Sequence, residues 1–375
     1  MIGDWVRSRA NRGKLASRPA TTHPTRPCRQ KMRIPVGTDC RYPFDDRVGT
    51  SPKIAVVIPC YRVSQHILAV IGAIGPDCSQ IHVIDDCCPD GTADFVRANC
   101  TDDRVRVHRH TMNQGVGGAV ISGYRAAIEE GADIIVKIDG DGQMDPRLLP
   151  HFVAPILAAE ADYTKGNRFF DLAGVSRMPG VMVFGNAMLS ILAKLSTGYW
   201  GMFDPANGYT AIHARVAQHL PFDKISKRYF FETDILFRLN TLRAVVVDIP
   251  MEALYADEVS NLRISRILGE FLFKHARNFA KRIFYNYFLR DVSIASIELV
   301  VGLALLAFGG VFGAYHWVTG AASGVANPLG TIMLASLSVL IGLQLLLSFL
   351  NYDIASVPRR AIHDLLPERI GASAD

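Results

Sequence analysis

Asp139 and Asp141 stand two residues apart, with Gln143 two further on, and this trio is the part of the sequence best suited to chemistry. In an extended or turning backbone their oxygens can converge on one cation, while Gly140 and Gly142 let the main chain approach whatever is bound. Donors that are all oxygen suit Mg²⁺ or Mn²⁺, which keep positions open for a substrate's phosphates. An isolated Asp-x-Asp is usually a solvated acidic turn, so the surroundings carry the weight. Here it closes the β-branched run Ile134-Ile-Val-Lys-Ile138 and leads into Met144-Asp145-Pro146. That pattern reads as a buried strand whose C-terminal end opens into a site, which is where open α/β sheets bind ligands.

The elements that must position this site alternate regularly. Ile54-Ala-Val-Val-Ile58-Pro59 is a first apolar run, with a helical stretch after it to about Ile74. Ile81-His-Val-Ile84 is a second, ending in Asp85-Asp86, and Val105 to His108 a third; Asn113-Gln-Gly115-Val-Gly117-Gly118-Ala119 then opens a helix to about Glu130. Strand and helix at βαβ spacing predict the α/β class, with a Rossmann-like and mostly parallel sheet. The glycines do not fit a dinucleotide fingerprint and no P-loop is present, so they are read as points of close helix-to-strand packing. One acidic strand end is often a helix cap, and Thr92 after Pro89-Asp90-Gly91 is placed to cap its helix. Two acidic strand ends in one parallel sheet, Asp85/Asp86 and Asp139/Asp141, predict a shared cleft. His213 and His219 lack metal-ligand spacing.

Composition bounds the partners. Apolar residues make up 49% of the 375, above a typical soluble domain, which implies membrane. The net charge of +5 gathers in the first 35 residues, in 263–290 and near the C-terminus. No basic face on a folded core is visible, so nucleic acid is not an expected partner. Seven cysteines without a C-x-x-C pair argue against a disulfide framework or a thiolate zinc site and for a reducing compartment. Residues 1–50, rich in Arg, Pro, Thr and Ser, are expected to be disordered, and Met32 rivals Met1 as the start.

From 262 to 290 charges recur at Arg263, Arg266, Glu270, Lys274, Arg277 and Lys281, with Ile264, Ile267, Leu268, Phe271, Phe279 and Ile283 on another helix face. A basic amphipathic helix that leads straight into membrane is expected to lie in the lipid interface. Ile294 to Val318 and Leu329 to Leu350 are long and apolar enough to span. Thr319 to Pro328 between them is uncharged, whereas basic residues flank the pair on both outer sides, so both flanks are expected to face the cytoplasm.

At this point the residues carry a resemblance. Ile58-Pro59-Cys60-Tyr61, Asp85-Asp86 with Asp90-Gly91-Thr92, Asn113-x-Gly115, Asp139-Gly-Asp141-Gly-Gln143-x-Asp145-Pro146 and Gly166-Asn167-Arg168 resemble, in order, the motifs of family 2 glycosyltransferases of the GT-A fold. Within them the chain is most similar to the polyprenyl-phosphate sugar transferases, the dolichol-phosphate-mannose synthase group. Cys87-Cys88-Pro89, Gly140 and Asn207 depart from the family's usual residues without removing a carboxylate. The resemblance implies a GT-A domain over 51–261, amphipathic helices over 262–290, a transmembrane hairpin over 291–352 and a cytoplasmic tail over 353–375. It implies that Pro59, Tyr61, Asp85 and Asp86 surround the nucleotide, and that Asp139, Asp141 and Gln143 hold Mg²⁺ or Mn²⁺ on the donor diphosphate. Arg168 matches an arginine at the reaction centre, and Arg177 a basic residue that meets the acceptor phosphate. Glu232 matches a base in relatives with hydroxyl acceptors; on the residues alone, Glu232 and Asp234 stand evenly between capping and chemistry. The expected partners are a UDP- or GDP-sugar, a polyprenyl phosphate (undecaprenyl or dolichyl) and the membrane. The expected place is a bacterial inner membrane, with the catalytic domain and both termini cytoplasmic and a homo-oligomer left open. The rival readings are another membrane acceptor with a hydroxyl, and a non-enzymatic membrane scaffold.

Overall fold

The computed structural model describes residues 51–170, 180–252 and 264–367. Seven strands form one sheet: β1 (Ile54–Cys60), β2 (Gln80–Asp85), β3 (Val105–Arg109), β4 (Ile134–Lys137), β5 (Tyr163–Asn167), β6 (Thr210–His213) and β7 (Val246–Pro250), in the order β3-β2-β1-β4-β6-β5-β7. The pairs β1–β2, β1–β4, β2–β3 and β5–β7 are parallel, and β6 runs antiparallel to both β4 and β5. The α/β class and the mostly parallel sheet are thus as the sequence predicts. Strands β6 and β7 are additions that its pattern does not announce.

Every residue of β1 is buried because both faces of the sheet are covered. Val56 and Ile58 pack with Phe152 and Ile156 of α4 (Leu149–Leu157), after the shorter α1 (Ile67–Gly72) and α2 (Thr92–Asn99). Ala55 and Val57, one residue out of phase, pack with α3 (Val116–Glu129) on the other face. Closeness there depends on Gly123, where a Cβ would lie 2.2 Å from Val57. Gly115 and Gly117 have a different role from the predicted helix-to-strand packing. A Cβ on either would lie 2.6 Å from a backbone carbonyl, of Lys227 or Ser226, so they let the start of α3 abut the loop before a later helix.

That second half adds α5 (Gly180–Thr197), α6 (Ala214–Gln218), α7 (Phe231–Leu242) and α8 (Ile264–Phe284), the last followed by a π turn over Tyr285–Arg290. Helix α8 is the predicted amphipathic helix, but a polar strip docks it: His275, Asn278 and Arg282 are buried against the domain. Leu272, Phe273 and Phe284 are left exposed.

Helices α9 (Ile294–Ser323) and α10 (Leu329–Ala355) form an apolar hairpin, each long and apolar enough to cross a membrane. They begin at the predicted residues and run about a turn further. Gly302, Gly309 and Gly342 bring the two backbones close; a Cβ on Gly342 would lie 2.8 Å from the Leu306 nitrogen. Ser348 donates to Glu298 at 2.8 Å, which satisfies the one carboxylate in the first apolar helix. Beyond the hairpin the chain returns to the sheet: Ile362 and His363 donate backbone N–H groups to Asp162, at the start of β5.

Candidate active site

Strand β1 has β2 on one side and β4 on the other, so the chain leaves its C-terminal end in one direction and later comes back in the other. Such a reversal opens a crevice beyond the strand ends. A cleft of about 540 Å³ lies there. Pro59 and Tyr61 extend from β1, Asp86 from β2, and Asp139 and Asp141 from β4, so five of the expected residues share its wall. Asn113 and Gly115 add the start of α3, while Arg228 and Tyr229 come from the loop before α7.

The two carboxylates after β2 have separate tasks. Asp85 points away from the cleft and caps α2, accepting from the N–H groups of Cys88 at 2.7 Å and Ala93 at 2.9 Å. Capping by Asp85 leaves Thr92 a different partner from the predicted one, since its hydroxyl meets the Cys88 sulfur at 3.2 Å. Asp86 accepts from the N–H groups of Gln114 at 2.8 Å and Gly115 at 2.7 Å, and contacts His110 Nδ1 at 2.7 Å. It therefore both shapes the start of α3 and lines the cleft.

Around Asp139 the electrostatics are set by a residue the sequence reading passes over. Lys137 projects from β4 into the interior, with Nζ 2.9 Å from Asp139 Oδ1 and 3.6 Å from Glu232 Oε1. Burial disfavours the ammonium, but Asp139 and Glu232 outweigh it and hold its pKa above the usual lysine range. Burial pushes the Glu232 pKa up, with Lys137 opposing. Space for the pair comes from Gly208, where a Cβ would lie 2.3 Å from Lys137 Nζ and 2.5 Å from Asp139 Oδ2. A lysine inside an apolar strand run was the available signal, since a buried charge demands a partner. Asp234 is tied on both oxygens, accepting from Ser226 N at 2.8 Å and Asn278 Nδ2 at 2.9 Å, so it holds the loop and α8.

Asp139 and Asp141 offer hard oxygens on the cleft wall, a chemistry that fits a divalent ion retaining water and phosphate ligands. Among the described residues no three His, Cys, Asp or Glu side chains converge as a ready metal cage. Gln143 is not on the cleft wall; its backbone N–H donates to Asp141 Oδ1 at 3.0 Å and so orients that carboxylate.

Arg168, just beyond β5, makes a two-pronged pair with buried Asp204, Nε to Oδ2 at 2.7 Å and Nη2 to Oδ1 at 3.0 Å. Burial opposes the Asp204 charge, yet Arg168 and Lys165 hold its pKa below the usual carboxylate range. Asn207 Nδ2 reaches Asp204 at 3.3 Å, which gives the turn 203–209 its job of aiming Arg168. Arg177 lies outside the described residues.

Residues 55–220 match the family described as Glycosyl transferase family 2. An undecaprenyl-phosphate mannosyltransferase of Micrococcus luteus is 28% identical over 223 residues, spanning 58% of this chain and 90% of that one. A polyprenol monophosphomannose synthase of Mycolicibacterium smegmatis is 27% identical over 54% of this chain and 78% of its own length. A UDP-N-acetylglucosamine–dolichyl-phosphate N-acetylglucosaminyltransferase of Methanococcus voltae is 27% identical over 54% of this chain and 86% of its own length. Among solved structures, a glucosyl-3-phosphoglycerate synthase from Mycobacterium tuberculosis, in complex with Mn²⁺, UDP and glucosyl-3-phosphoglycerate, aligns at TM-score 0.46 and 20% identity, covering 62% of this chain and 80% of that one. The chain carries a family 2 glycosyltransferase domain over residues 55–220, joined to two long apolar helices, and is a glycosyltransferase.

Proposed function

We propose that this enzyme moves a sugar from a UDP- or GDP-sugar to a polyprenyl phosphate at a membrane surface, with inversion at the anomeric carbon. The observation that carries the reading is a carboxylate-lined cleft at the strand switch point, in a domain whose chain continues directly into an apolar hairpin. The names of the relatives point to the same class of acceptor.

The nucleotide would lie against Pro59 and Tyr61, near Asp86. Asp139 and Asp141 would hold Mg²⁺ or Mn²⁺, which when bound supplies positive charge to the leaving diphosphate. Lys137 fixes Asp139, and the Gln143 N–H fixes Asp141, so neither carboxylate needs reorienting when the donor arrives. The acceptor is a phosphate monoester whose second pKa is near 6, so near neutral pH its oxygen is already anionic and needs no general base. What it does need is alignment, which we assign to Arg168, aimed by Asp204, and to Arg177. Glu232, spent as the second counter-ion of Lys137, supports this assignment over a hydroxyl acceptor. By the placement of basic residues about the hairpin, the domain and both chain ends would face the cytoplasm of a bacterial inner membrane.

Detergent-purified protein incubated with labelled nucleotide-sugars and undecaprenyl or dolichyl phosphate tests this. Label should enter lipid from at least one donor, and both EDTA and Asp141→Asn should abolish transfer. Full transfer in excess EDTA would remove the metal. Label appearing only in a neutral, hydroxyl-bearing lipid would replace the acceptor.

A further inference from the structure

A second polar pocket, of about 170 Å³, lies at the root of the hairpin. Arg243, Arg290 and Asp291 supply its charges, and Ser293, Tyr352 and Ser356 its hydroxyls. Ser293 is the N-cap of α9, whereas Tyr352 and Ser356 stand at the end of α10, so the pocket sits where both apolar helices meet the domain. It is remote from the chemistry: Glu232 is in the first turn of α7 and Arg243 follows its last, roughly 16 Å along the axis.

Two guanidiniums face one small cavity that contains a single carboxylate. Arg290 is anchored by donating to the Thr241 carbonyl, and its pKa is lowered, first by burial and then by the like charge of Arg243. Cations held together at such a cost call for an anion, and the planar donor forks of arginine match phosphate oxygens. Beside the pocket Leu289, Val292 and Ile294 are 61–70% exposed, an apolar margin that a free phosphate would leave in water and acyl chains would cover.

We propose that Arg243 and Arg290 form a binding site for the phosphate headgroup of an anionic membrane phospholipid, separate from the catalytic cleft. Its net charge of plus one, from two arginines and Asp291, favours a headgroup with a net negative charge over a zwitterionic one. The site requires the hairpin to lie in a bilayer but is independent of the sugar, the nucleotide and the acceptor, so it can stand or fall without the proposed reaction.

The test is native mass spectrometry of the full chain in non-ionic detergent, titrated with phosphatidylglycerol, phosphatidylcholine or inorganic phosphate. Phosphatidylglycerol is expected to bind about tenfold more tightly than phosphatidylcholine, and Arg243→Asn/Arg290→Gln to weaken phosphatidylglycerol about a hundredfold, since charged hydrogen bonds of this kind are each worth a factor of about ten or more. Because Arg290 also supports the Thr241 backbone, Arg243→Asn alone is the second variant; at φ +66 asparagine suits the left-handed backbone of residue 243. It should weaken phosphatidylglycerol binding with the lipid-free melting temperature unchanged. Equal binding of both lipids, or unaltered phosphatidylglycerol binding by a folded Arg243→Asn protein, overturns the proposal. Inorganic phosphate that displaces phosphatidylglycerol at equal concentration would overturn the lipid assignment and leave a soluble-phosphate site.

Discussion

Lys137 decides how the Asp139 carboxylate is held, and the empty space at Gly208 decides whether Lys137 can reach it. Gly208→Ala should therefore damage the site without touching the core, because the new methyl would collide with both partners of the pair. We expect turnover to fall more than tenfold with the melting temperature lowered only slightly; wild-type turnover in Gly208→Ala would show that the Lys137–Asp139 geometry is irrelevant to the reaction. Lys137→Met should inactivate and also destabilise, since it leaves Asp139 and Glu232 as like charges close together. Adding Glu232→Gln to it should restore much of the stability and little of the turnover, measured as melting temperature beside initial rate. At this scale the sequence was half legible. The carboxylates on the cleft wall announce themselves by type and spacing, whereas the arginine beyond β5 is pointed to only by the resemblance of Gly166-Asn167-Arg168 to a family motif. What spacing cannot convey is which of two adjacent carboxylates turns inward, as Asp85 does, or that Asp204 aims Arg168 from 36 residues away.

Among the elements, β1 to β4 could be read from apolar, largely β-branched runs bounded by turns. Thr210–His213 could not, because four residues carry too little pattern, and their pairing with β4 and β5 is a property of the closed sheet. Helix α8 was recognisable as amphipathic, but the side that docks was not. Its buried strip is polar, matched to partners distant in sequence: Asn278 to Asp234, and Arg282 to Asp353 near the end of α10. That last pair is 2–3% exposed and two-pronged, at 2.6 and 3.0 Å, and Asp353 also accepts from Tyr287 at 2.6 Å and Trp200 at 2.8 Å. Breaking a buried pair on one side costs about 3–5 kcal/mol, because the remaining charge is stranded. Asp353→Asn should thus lower the melting temperature sharply, whereas Arg282→Met/Asp353→Leu should recover most of it. A single variant as stable as the wild type would mean that the pair does not fasten the hairpin.

For the molecule as a whole, acid should be the vulnerable side. His82, His213 and His275 are each held at a pKa of about 4, against an ordinary 6.5, chiefly by burial. The folded state keeps them neutral while the unfolded chain takes up protons below 6.5, so the stability they provide is complete above that pH and lost as pH falls toward 4. Asp162 behaves in the carboxylate sense: burial opposes its charge, but His363 and three backbone N–H groups hold its pKa low, so its contribution goes only at still lower pH. The melting temperature should be level from pH 8 to 7 and drop steadily from 6.5 to 4.5; a flat profile across that range would mean these histidines are hydrated in the folded protein.

Asp162 is also a statement about time. Its carboxylate is fully buried at the start of β5, and the groups that complete its bonding, the backbone and ring of His363, lie 201 residues later, beyond both apolar helices. A ribosome delivers the whole sheet before those groups exist. During synthesis the sheet therefore waits with an incompletely satisfied anion at one end, and it is finished only after the apolar hairpin has been made and the chain beyond it has come back to the sheet. Completion of the sheet thereby depends on the hairpin, so a copy whose two apolar helices fail to pair keeps a loosened end at β5.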